Sequence, residues 1–168
     1  MKKTELKLQL YGRKILRQRV KEVKEITPEV REYLEGMLKL MRKEGGIGLA
    51  ANQAGIDLRL VVIETKDKIW KIINPQIRKK RGSIVFEEGC LSFPGLSLKI
   101  KRAKEVWVDF LDVDGNKVSV KAEGILAVAF QHEVDHLDGI LFIDHIPYLE
   151  RLKISPWLLE IKRKSAES

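Results

Sequence analysis

The chain predicts an α+β fold, with antiparallel β-sheets packed around a central buried helix. Three observations carry this expectation. Residues 58–121 are rich in β-branched and aromatic residues at strand spacing. Residues 124–138 are apolar nearly all round, the pattern of a helix buried on every side. Residues 28–44 carry one apolar stripe at helical spacing. No repeat and no Gly/Ser- or Pro-rich linker divides the 168 residues, so a single domain over 1–168 is expected, with a short basic tail over 147–168.

The elements follow in order. Met1-Lys2-Lys3-Thr4 resembles the charged head of a secretion signal, but Glu5, Lys7 and Gln9 interrupt the apolar stretch that should follow. Thr27 can cap the first helix, with Pro28 at its first position and Glu29 at its positive end. Val30, Leu34, Met37, Leu38 and Met41 form its stripe, and Gly45-Gly46 stops it. Strands are expected at 60–63, 69–73, 83–86, 96–100, 106–110 and 118–120. Asp114-Gly115 reads as the turn between the last two. Gly139 ends the buried helix, and Ser155-Pro156 starts one or two helical turns in the tail.

Composition narrows the class. With 44% hydrophobic and 33% charged residues the chain can bury a core and is not disordered. No apolar run reaches the length of about 18 residues needed to span a bilayer. One cysteine, Cys90, makes no internal disulfide and fits a reducing compartment. The expected setting is a cytoplasmic monomer with no membrane or DNA partner. The net charge of +8 favours approach to polyanions, but the basic residues are spread out without aromatic interleaving along the sequence. An RNA-binding module is therefore the weaker reading.

The buried helix carries His132-Glu133-Val134-Asp135-His136. Histidines four apart share one helix face and can reach one metal ion, with Glu133 beside them as general base. Burying these groups among apolar residues is costly unless they are paired or metal-bound. A catalytic zinc-type site needs a third ligand. His145 lies nine residues past His136, and Phe142 occupies the position a metzincin gives to histidine. Glu150 and Cys90 are the other candidates, Cys90 on a turn between Gly89 and Pro94-Gly95. A metallopeptidase using this helix is the competing enzyme reading.

Two further patterns need interpretation. Gly46–Ala51 fits a G-x-G-x-x-A nucleotide fingerprint only superficially, because a helix rather than a strand precedes it. It reads instead as a flexible turn, or as a loop of small residues that lets backbone approach a ligand, with Gln53 at its end. Asp112, Asp114, Asn116 and Glu123 imitate an EF-hand, but Lys117 stands where glycine is required and strands flank the loop.

Taken together, the stretches GIGLAANQ (46–53), EGCLS (88–92) and HEVDH (132–136), in that order, closely resemble the three motifs of the peptide deformylase family. The resemblance covers nearly the whole chain. It implies that Cys90, His132 and His136 hold one metal ion, iron(II), which nickel, cobalt or zinc can replace. It implies Glu133 as the acid/base, and Gln53 with the backbone N–H of Leu91 as oxyanion donors. Gly48 is implied to pair with the substrate backbone, and Ile47, Ile125, Val128 and Ala129 to line the pocket for the methionine side chain. The implied substrates are N-formylmethionyl nascent peptides, deformylated with release of formate. Weak ribosome docking through Lys162-Arg163-Lys164 is compatible with this role. Two departures bear on substrate preference: no Pro-Asp precedes Leu16-Arg17, and Ser97 stands where many relatives carry arginine.

Overall fold

A computed structural model describes residues 5–168; Met1–Thr4, the stretch resembling a signal head, fall outside the described residues. Among the described residues there are seven strands: β1 (Gly48–Ala50), β2 (Leu60–Glu64), β3 (Ile69–Arg81), β4 (Ile84–Gly89), β5 (Ser97–Arg102), β6 (Glu105–Leu111) and β7 (Lys117–Glu123). Four α-helices accompany them there: α1 (Pro28–Lys43), α2 (Gly124–Leu137), α3 (Tyr148–Lys153) and α4 (Ser155–Glu167). Five strands form one sheet in the order β1-β2-β3-β6-β7, and β4-β5 form a separate hairpin. Every pairing between them is antiparallel.

β2 shows why this sheet is central. Leu60 and Val62 pack with Leu34, Met37 and Met41 of α1. Val61 and Ile63 face the other way, toward Phe130 and Ala127 of α2. A strand covered on both faces reads as a continuous apolar run, which is what Leu60-Val61-Val62-Ile63 is. α2 lies against β1, β2, β3, β6 and β7, and residues 127–134 are all buried. A third core joins Phe93, Leu96 and Ile100 to Phe142, Leu158 and Ile161.

Several boundaries differ from the sequence expectation. Gly48–Ala50 is a short strand rather than loop, because its backbone pairs with Val61–Ile63. β3 runs on past the expected end at Ile73, through Asn74-Pro75. Asn74 takes φ +53 and its side chain bonds the backbone of Val23 at 2.8 Å, so the irregularity is absorbed as a bulge. The tail holds more helix than one or two turns. α4 spans 13 residues, starting at Ser155-Pro156, and buries Leu158, Ile161 and Ser165. Asp112–Asn116 is a turn, with Asp112 Oδ1 accepting from the N–H groups of Asp114 and Asn116 and strands on both sides. No helix among the described residues is long and apolar enough to cross a membrane.

Candidate active site

α2 sets His132 and His136 one turn apart, with their Nε2 atoms 3.2 Å from each other. Cys90 arrives from the end of β4, on a turn closed by Phe93 N–H donating to Cys90 O. Its Sγ lies 3.3 Å from His136 Nε2, and the three donor atoms are all within 4.8 Å of one another. Bonds of about 2.0–2.3 Å around a tetrahedral centre separate donors by about 3.3–3.7 Å, so this spacing and this thiolate-imidazole set fit one metal ion. The other two candidates for third ligand lie elsewhere. His145 Nε2 contacts Asp135 Oδ2 at 2.8 Å, and Glu150 is exposed on α3.

A buried ionic network stands behind the cluster. Glu88 Oε1 sits 2.8 Å from His132 Nδ1, which directs His132 Nε2 toward Cys90 and His136. Arg102 donates to both Glu88 oxygens at 2.8 and 2.9 Å and to Asp135 at 2.7 Å. Burial opposes charge at each site, yet the pairing outweighs it. Glu88 and Asp135 are held below the usual carboxylate range, and Arg102 is raised. For His132, burial is opposed by the Cys90 sulfur and the Glu88 carboxylate, and the net effect is strongly toward the protonated form. His136, beside it, is pushed the other way, well below the ordinary imidazole value, by burial and by His132. The sequence reading gave Glu88 and Arg102 no role. A signal was present: Ile84-x-Phe86-x-Glu88 and Leu98-x-Ile100-x-Arg102 each end an inward-facing alternation on a charge.

Glu133 faces the same space. Burial, the largest influence, pushes its carboxyl up to about 7, and its Oε2 has no hydrogen-bond partner in the protein. β1 passes directly over it. A Cβ on Gly48 would lie 2.7 Å from Glu133 Oε1, and one on Gly46 would lie 2.6 Å from Leu91 Cδ1. A side chain at either position would require that side-chain end to shift. Gln53 is fixed by Ala50 N–H donating to its Oε1 at 2.9 Å. Its Nε2 is thereby aimed at Ser92 Oγ, 3.2 Å away, and Cys90 Sγ, 3.5 Å away.

These groups line a cleft of about 950 Å³. Of the residues to which the motif resemblance gives a role, all but His136 are on its wall; His136 is joined to it through Cys90 and His132. Val128 and Ala129 are buried there, while Ile47 and Ile125 are each 51% exposed at the rim. β1 and β4 each pair with one strand only, so both turn an unpaired edge toward the cleft. An extended peptide can pair with such edges.

Comparisons with known proteins agree with this geometry. The family model described as polypeptide deformylase matches residues 5–152. A peptide deformylase of Hydrogenovibrio crunogenus is 41% identical over 165 residues, covering 96% of each chain. One of Thermodesulfovibrio yellowstonii is 40% identical over 151 residues, covering 87% of this chain and 92% of the relative. The crystal structure of peptide deformylase from Thermus thermophilus superposes with a TM-score of 0.89 at 34% identity, over 94% of this chain and 98% of that one. That of Legionella pneumophila gives 0.88 at 36% identity, over 97% and 98%. The chain belongs to the peptide deformylase family, the metal-dependent hydrolases that remove the N-formyl group from newly made polypeptides.

Proposed function

We propose that Cys90, His132 and His136 hold one iron(II) ion, replaceable by nickel, cobalt or zinc, and that Glu133 moves the proton in the deformylation of N-formylmethionyl peptides. The observation that carries this is the partnerless Oε2 of Glu133, buried beside a cluster of three metal-type donors on a peptide-wide cleft. When bound, the metal supplies Lewis acidity, polarising the formyl oxygen and acidifying a water.

The chain's own groups do the rest. Glu133 accepts a proton from the attacking water as its oxygen closes on the formyl carbon. Gln53 Nε2 and the N–H of Leu91 donate to the formyl oxygen as negative charge develops there. A donor of this kind is typically worth about 3 kcal/mol of barrier. Glu133 then gives its proton to the departing nitrogen, and formate leaves a free amino terminus. Gly48 pairs with the peptide backbone. Ile47, Ile125, Val128 and Ala129 receive the methionine side chain.

The remaining parts of the reading are its setting and partners: a cytoplasmic, monomeric single-domain enzyme, with weak ribosome docking through the basic tail. Within that tail Lys162, Arg163 and Lys164 are all exposed, with Glu160 and Glu167 beside the last two. Loss of ribosome co-sedimentation on removing residues 156–168 is the expected outcome.

The central test is formate release from a formyl-Met tripeptide by anaerobically iron-loaded protein, with mass spectrometry of the peptide. Formate with an intact peptide is expected; backbone cleavage instead would move the reading to a metallopeptidase. Glu133→Gln should lower turnover by a factor of about 10²–10⁴ while metal content stays at one ion per chain. Full activity in that variant would remove Glu133 from its role.

A further inference from the structure

The chain has three histidines, and the metal-type cluster takes two of them. The third, His145, ends the 3-10 turn Phe142–His145 and is absent from the cleft wall. The turn is fixed from several sides. Phe142 and Ile143 are buried in the third core. Asp144 Oδ2 accepts from Leu141 N–H at 2.9 Å and from Arg17, and Arg151 donates to Ile143 O at 2.8 Å. The same turn already touches the cluster, since the Phe142 and His132 rings meet edge-on with 5.8 Å between centroids.

From this post the His145 imidazole reaches back to α2. Its Nε2 lies 2.8 Å from Asp135 Oδ2 and 3.3 Å from Arg102 Nη1, and the same Asp135 oxygen accepts from Arg102 Nη1 at 2.7 Å. One ring nitrogen either donates or accepts. The shorter contact is to the carboxylate, so the ring N–H serves Asp135. Arg102 directs Nε and Nη2 at Glu88, and Glu88 Oε1 meets His132 Nδ1. Side-chain exposure falls along this line from 35% at His145 through 19% at Asp135 to 4% at Arg102 and 3% at Glu88. The outer end is therefore open to substitution, while the inner links are locked by burial and by one another. Among the described residues, Arg102 and His145 are the side-chain partners of the Asp135 carboxylate. Without His145, Arg102 alone orients that carboxylate, and the guanidinium loses its fixed point opposite Glu88.

We propose that His145 is a positioning residue for the metal centre, anchoring Asp135 so that Arg102 holds Glu88 in place against the Nδ1 of His132. This rests on His132 being a metal ligand. Two readouts on the full chain test it: nickel(II) affinity by chelator competition, and the visible absorption bands of the cobalt(II)-loaded protein, which report ligand geometry. His145→Leu removes the N–H and keeps an apolar side chain in its place. Nickel should then bind about three- to tenfold more weakly, a smaller loss than the roughly 10- to 100-fold expected of a group touching the ligand itself. The cobalt bands should shift as well. His145→Gln, whose amide N–H takes the place of the ring N–H, should restore the wild-type affinity and bands. If His145→Leu is misfolded by circular dichroism, His145→Ala makes the same comparison. Lower urea stability with unmoved affinity and bands would show a structural role only and overturn the proposal, as would equal weakening in His145→Gln. His132→Ala, measured beside them, should lose nickel binding. That loss together with wild-type behaviour in His145→Leu overturns the positioning role alone; wild-type nickel binding in His132→Ala overturns the metal-site reading and the proposal with it.

Discussion

At Gly48 the edge strand comes so near Glu133 that any side chain must displace one of them. Gly48→Ala should therefore lower kcat/KM by about tenfold or more, with metal content and thermal midpoint nearly unchanged; wild-type kinetics would show that the strand can yield. Glu88 presents the complementary case. It holds the His132 ring and neutralises Arg102, both buried. Glu88→Gln keeps the shape and removes the charge. Metal affinity, measured by chelator competition, should fall about 10- to 100-fold. Stability to urea should fall by about 3 kcal/mol, because Arg102 keeps only Asp135 as an anionic partner. An unchanged metal affinity would reduce Glu88 to a packing role.

Among the elements, α4 stands out because it extends past the family-model match yet completes the third core. Leu158 and Ile161 close over Phe93 and Leu96 on the turn that follows Cys90. Trp157 Nε1 also donates to Pro94 O at 3.2 Å. Ile161→Ala should cost about 2–4 kcal/mol in urea unfolding. A loss below about 1 kcal/mol would mean that α4 is only loosely docked. At the start of α1, Thr27 Oγ1 accepts from Val30 N–H at 3.3 Å, the cap that the sequence signalled. Helix starts of this kind are legible because the side chain and its partner are three residues apart. The extension of β3 was not legible, since the partner that tames Asn74 is Val23, far away in sequence.

Over the whole molecule, acid should be destabilising for a defined reason. Glu105 is held down to about 2 by Arg81 and Lys121, and hydrogen bonds keep Asp109 and Asp112 below their usual values. Asp144 is also low, because Arg17 and the Leu141 N–H outweigh the effect of burial. Groups whose folded value is depressed stabilise the fold above the ordinary carboxylate range. That contribution is lost as pH falls from about 4.5 toward 2. The thermal midpoint should drop over this window, and Glu105→Gln should drop less steeply than wild type. Equal slopes would remove Glu105 from the account. The outer face of the sheet also holds an arrangement invisible along the sequence. Lys79 and Lys121, directly opposite Trp107 on the two flanking strands, place their ammonium groups 4.8 and 5.4 Å from its ring.

The sequence by itself determined the α+β class, the buried helix with its two histidines and Glu133, and the three motifs that identify the family. These are local or motif-level properties: helical periodicity, caps and ligand spacing all act within a few residues. Spacing alone left three candidates for a third donor and the motif resemblance pointed to Cys90; only the tertiary structure brings one of the three beside the histidines. Cys90 lies 42 positions before His132 in the chain, and only the placement of the β4-β5 hairpin against α2 brings its sulfur beside them. The same is true of the Glu88–Arg102–Asp135 network. Each is assembled by packing between separate elements, where spacing along the chain carries no information about distance in space.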